Sequence, residues 1–96
     1  MKHNWKDIAA KILTTDTEEV TITVNYSNRN KSVLVSILRS DVSWWFRGEP
    51  EWFRIHYDKT DEYPFSVLCG KGLVMRCRYV QDAIDGVNER LVKYIL

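Results

Sequence analysis

The sequence predicts an α+β fold: an antiparallel meander of about five to six strands, with a short helix before it and a longer one after it. Three observations predict this. A clean period-two alternation runs from Glu19 to Tyr26, the mark of a half-buried strand. The apolar segments that follow are joined by turns far shorter than the dozen or more residues a parallel crossover requires. Each end of the chain carries apolar residues at helical spacing. With 96 residues and 45% hydrophobic content, residues 1–96 suit a single globular domain with a modest core and no need of staples.

Asn4 to Leu13 reads as the first helix. Trp5, Ile8 and Ile12 fall at i, i+3 and i+7. Asn4 suits the N-cap, and Asp7 suits the first turn, where negative charge meets the helix dipole. About ten residues make a helix that is marginal alone, so it must dock through Trp5 and Ile8. Thr14 to Glu18 is polar and ends it. In the first strand Val20, Ile22, Val24 and Tyr26 point one way and Thr21, Thr23 and Asn25 the other. Ser27 to Lys31 is a polar turn. Ser32 to Arg39 returns with Val33, Val35 and Ile37 on one side and Leu34 and Leu38 on the other, which suits a central strand.

Val42 to Tyr57 (VSWWFRGEPEWFRIHY) holds three of the four tryptophans. Around Gly48-Glu49-Pro50, a loop tripeptide, it reads as a hairpin. Arg47 then opposes Glu51, Trp45 opposes Phe53 and Ser43 opposes Ile55. The other face places Val42, Trp44 and Phe46 opposite His56, Arg54 and Trp52. Trp45, Phe53, Ile55 and Tyr57 are assigned to the core. Asp58 to Pro64 is the longest polar connection and the expected mobile loop.

The last hairpin, Phe65 to Cys69 and Leu73 to Tyr79, turns at Gly70-Lys71-Gly72. Phe65, Val67, Cys69, Leu73, Met75 and Cys77 share one face in this reading. Cys69 opposes Leu73 and Cys77 opposes Phe65. The thiols are then roughly 13 Å apart at strand rise, beyond the Cα separation of about 7 Å that a disulfide allows. Two reduced, buried cysteines are expected. The final helix, from Gln81, carries Ala83, Ile84, Val87, Leu91, Tyr94 and Ile95 on one stripe. Gly86 within it costs about 1 kcal/mol against Ala and marks a close crossing over the sheet.

Charge narrows the function classes. Lys plus Arg is 14 against 13 for Asp plus Glu. Met1–Gly48 has 7 basic and 5 acidic residues, and Glu49–Leu96 has 7 and 8, so neither half is polarised. A strongly basic nucleic-acid or membrane-surface domain is disfavoured, as is an acidic nucleic-acid mimic. No apolar run approaches the roughly 20 residues of a membrane span. MKHNWKDIAAKIL lacks the apolar core of a signal peptide. A cytoplasmic protein that does not engage membranes is expected.

No motif carries chemistry. Gly70-Lys71-Gly72 is not a phosphate loop, because it precedes a strand and lacks the required spacing. Asp58, Asp61 and Glu62 have no EF-hand spacing and enclose Lys59. His3 and His56 are distant in sequence and form no zinc pattern with Cys69 and Cys77. Either thiol would need a nearby base and exposure to act as a nucleophile. No catalytic residue, cofactor or metal is assigned.

What remains is the aromatic and basic face. Trp44, Phe46, Trp52, Arg54 and His56 combine flat apolar area with a guanidinium and an imidazole, and Arg76 and Arg78 extend it if the hairpins are neighbours. Trp and Arg are frequent interface anchors. The expected function is a non-catalytic protein-binding module: a regulator, adaptor or inhibitor acting on a protein partner. A phage or mobile-element accessory protein is one setting for such a module, and a homodimer through this face is a further option. The alternative is single-stranded nucleic-acid binding, with bases stacked on the same aromatics. A competing arrangement lays one helix on each face of the sheet, and the tryptophans are then core.

Overall fold

The computed structural model describes residues 3–39 and 51–96. Their order is α1 (Trp5–Ala10), β1 (Thr15–Asp16), β2 (Val20–Ser27), β3 (Ser32–Arg39), β4 (Glu51–Tyr57), β5 (Phe65–Cys69), β6 (Gly72–Cys77) and α2 (Val80–Ile95). The strands form one six-stranded antiparallel sheet in chain order. This is the expected α+β meander. The polar stretch after α1 supplies the short β1, in which Thr15 and Asp16 pair with Ile22 and Thr21.

β4 differs from its expected pairing. Its neighbours are β3 and β5: Phe53 faces Val35 and Cys69, and Ile55 faces Val33 and Val67. Glu51 faces Ile37. Phe53 and Ile55 are therefore paired on both sides, and β3 and β5 take the places expected for Trp45 and Ser43 beside them; the expected pairing of Arg47 with Glu51 lies outside the described residues. The physical reason is that Val33, Val35 and Ile37 supply a continuous apolar row, which matches Phe53 and Ile55 across the ladder. Residues 40–50 join β3 to β4. Trp44, Trp45 and Phe46 lie outside the described residues.

The final hairpin is displaced at its tip. Phe65 faces Cys77 and Val67 faces Met75, as expected, but Leu68 faces Leu73 and Cys69 faces Gly72. The loop is thus two residues, with Gly72 at φ 122, a left-handed value that glycine adopts without steric cost. Val74 is the extra residue of a bulge, and a bulge reverses the side-chain alternation beyond it. Leu73 accordingly leaves the core face and is 58% exposed, whereas Val74 packs against the core. Cys69, expected to be buried, is half-buried beside the loop; Cys77 is buried, and both thiols are free.

One cluster forms the core. Val20, Ile22, Val33, Val35, Ile37, Phe53, Ile55, Phe65, Val67 and Cys77 contribute from alternate positions of the strands. Trp5, Ile8 and Ile12 meet them from the N-terminal segment, and Ala83, Ile84, Val87 and Leu91 from α2. Both helices therefore lie on the same face: α1 packs over β2 and β3, and α2 over β5 and β6. The Asn88 carboxamide ties them together. Its Oδ1 accepts from Leu13 N at 2.9 Å, and its Nδ2 donates to Lys11 O at 2.9 Å.

The six-residue α1 is held by more than propensity. Asn4 Oδ1 accepts from Lys6 N at 3.0 Å, and Asn28 Oδ1, from the β2–β3 turn, accepts from Trp5 N at 3.1 Å. Two otherwise orphaned N–H groups are thereby satisfied. Trp5 sits in a cluster with Tyr57, Phe65 and His3, the last edge-on to Tyr57 and Phe65 at 5.2 and 5.0 Å. In α2, Gly86 is buried over Met75, and a methyl group there would overlap Met75 Sδ. The close crossing suggested by Gly86 is present. Ile95, assigned to the apolar stripe, is instead 43% exposed in the last turn.

Candidate docking surface

Strand alternation decides what the second face presents. Across it run three rows fixed by register. Asn25, Leu34, Arg54, Leu68 and Leu73 form the central row; Thr23, Ser36 and Trp52 lie on one side, and Ser32, His56, Ser66 and Arg76 on the other. No described helix lies over this face. Arg54 and His56 are exposed, and Trp52, Leu34 and Leu68 are half-buried. Leu38, farther along β3, is 68% exposed.

Trp52 is anchored without being covered. Its indole lies against Gly70, where an added Cβ would stand 3.6 Å from Nε1. A side chain at this position would meet the ring in ordinary van der Waals contact. Leu34, Ser36, Trp52 and Arg54 together line a shallow depression of about 400 Å³. Arg54 stands between two leucines, so its aliphatic stem has apolar neighbours while its guanidinium faces water.

The seven residues singled out in the sequence are not all brought together. Trp52, Arg54 and His56 share this face. Arg76 shares it by register, two strands away from His56, and its Nη2 donates to Asp61 Oδ2 at 2.6 Å. Arg78 stands past the end of β6, where it donates to Glu62 at 3.0 Å and lies 5.3 Å from the Tyr63 ring centroid. Trp44 and Phe46 lie outside the described residues. Leu34 and Leu68, which flank Arg54, were not singled out. Their signal was present as apolar residues of the second parity in two strands, but it needed the β3–β4 pairing to be read as one patch.

The connection from Asp58 to Pro64, read from sequence as a mobile loop, is internally bonded. Asp58 N donates to Pro64 O at 2.8 Å, and Asp61 Oδ1 accepts from Tyr63 N at 2.9 Å. Asp58 Oδ1 accepts from the Thr60 hydroxyl at 2.7 Å and from Thr60 N at 3.0 Å. Those two bonds, the hydroxyl first, hold the Asp58 carboxyl below its ordinary range. Through Asp61 and Glu62 the loop neutralises Arg76 and Arg78. The unpaired positive charge of the central rows is thus concentrated on Arg54.

Among the described residues no group of three or more His, Cys, Asp or Glu side chains is placed to hold a metal ion. Burial, and secondarily the carboxylate of Asp82, pushes the Cys77 thiol up, away from the thiolate a nucleophile requires. No described helix is long and apolar enough to cross a membrane.

No family model, curated protein or solved structure matches this chain.

Proposed function

We propose that this chain is a small non-catalytic protein-binding module whose open sheet face docks an acidic segment of another protein. One observation carries the reading. Trp52, Leu34 and Leu68 lie uncovered by any described helix, around Arg54, with no carboxylate among the residues that share the three central rows. An aromatic ring and an Arg set among aliphatic side chains match the composition of interface anchors. The absence of a carboxylate from those rows favours a partner that brings its own acidic groups around an apolar anchor. A regulator, adaptor or inhibitor would act in this way. The two free thiols support a cytoplasmic setting.

The alternative, single-stranded nucleic acid, draws on the same indole and guanidinium. It is less well supported, because the described part of this face offers one indole where a stacking platform uses several rings.

Selection from a library of displayed peptides tests the proposal. Recovered binders should carry Asp or Glu around an aliphatic or aromatic residue. Trp52→Ala with Arg54→Ala should abolish their binding and leave the far-ultraviolet circular dichroism unchanged. Binders lacking acidic residues, or binding that survives the double substitution, would reject the assignment. Tight oligonucleotide binding that weakens steeply with salt would favour the alternative.

A further inference from the structure

A second concavity lies on the helix-covered side, where the last turns of α2 pass over the β5–β6 turn. Its volume is about 530 Å³, within the range of roughly 300–1,000 Å³ that small-molecule sites occupy. Phe53, Cys69, Val74 and Tyr94 supply an apolar floor, and Lys71, Arg90 and Lys93 stand around it. Each cation has a structural reason to be there. Arg90 Nη1 donates to Gly86 O at 2.9 Å, which fixes the guanidinium beside the helix. Lys93 Nζ lies 5.3 Å from the centroid of the Tyr94 ring. Lys71 is carried by the two-residue loop that the bulge in β6 permits. Glu51 is the one carboxylate among the lining residues, and the Tyr94 phenol stands beside it.

Three cations against one carboxylate leave a local positive excess over an apolar floor, in a chain whose formal net charge is only +1. We infer that this cleft binds a small organic anion, with an aromatic or acyl body on the floor and a carboxylate or sulfonate among Lys71, Arg90 and Lys93. Trp52 borders both this cleft and the open face, but the inference does not rest on the docking role.

The test uses 8-anilino-1-naphthalenesulfonate as a fluorescent probe, N-phenyl-1-naphthylamine as its uncharged counterpart, and decanoate as competitor. The full chain should bind the sulfonate at one saturable site from which decanoate displaces it. Lys71→Glu with Lys93→Glu, both at exposed positions, should weaken binding at least about tenfold. Leu34→Asp on the open face should leave it unchanged. Alkylation of Cys69 should slow severalfold when the site is saturated, while near-ultraviolet circular dichroism shows native packing throughout. No saturable binding, equal affinity for the uncharged counterpart, insensitivity to the charge reversal, or loss of binding in Leu34→Asp would each overturn the inference.

Discussion

The two faces of the sheet are built from the same strands and meet opposite fates. On one, Val33, Val35, Ile55 and Val67 are fully buried beneath α1 and α2. On the other, their immediate neighbours Leu34, Arg54 and Leu68 lie outside the core cluster, and the register is the same for both. The difference follows from width. Five gaps of about 4.8 Å make a sheet roughly 24 Å across, and two helices side by side at about 10 Å cover roughly 20 Å. Both described helices are needed for one face, so neither is left for the second. Apolar side chains on that second face then have cross-strand neighbours but no described helix over them, and this is what makes the face a candidate for docking.

Substitutions can break the comparison. The largest effect is expected on the covered face. Ile55→Ala should lose about 2–5 kcal/mol in urea unfolding, from transferred area plus the cavity left behind. Leu68→Ala, one row away on the open face, should lose less than about 1 kcal/mol. Equal losses would mean that both faces are buried.

A smaller effect sharpens how α2 sits on the covered side. Gly86→Ala gains about 1 kcal/mol of helix propensity, but its methyl group meets Met75, and overpacking costs about 1–3 kcal/mol. A net destabilisation of about 1 kcal/mol is expected. In a Met75→Ala background the same substitution should become stabilising. A gain in both backgrounds would mean that helix and sheet are farther apart than they stand here.

Titration separates the two sides further. Burial, and then the hydrogen bond to Glu51, pushes the Tyr94 phenol up to about 12. A raised folded value contributes stability that is complete below the unfolded value near 10 and fades as pH rises toward about 12. Tyr94→Phe should remove that alkaline slope. Asp58 has the opposite sign: its folded value is lowered, so its contribution is present above about pH 4 and fades on acidification. Asp58→Asn should flatten the acid limb. The smallest effect belongs to the open face, where Arg54→Ala should change stability by no more than about 0.5 kcal/mol while removing peptide binding.

Much of the fold was legible because its signals are local. The alternation from Val20 to Tyr26, the stripe of Ala83, Ile84, Val87 and Leu91, and the turn glycines each declare an element without help from distant residues. Two features were not legible, because they depend on distant partners. Trp45 and Val35 offered β4 comparable apolar neighbours, and pairing with β3 joins a longer apolar row than a hairpin closed at Gly48-Glu49-Pro50. The bulge that sends Leu73 outward and Val74 inward accompanies a two-residue loop where the glycines at 70 and 72 predicted three. Trp52, Arg54 and His56 were grouped by parity alone, which survives a change of partner, whereas Leu34 and Leu68 needed the true neighbours of β4.

Among the described residues one face of this sheet stands open. Equilibrium urea unfolding of the double variant Leu34→Asp, Leu68→Asp tests it most directly, because carboxylates are tolerated beside Arg54 in water and not within a packed layer. A loss of no more than about 2 kcal/mol is expected. A loss of more than about 4 kcal/mol, the scale of charge forced into an apolar interior, would contradict it.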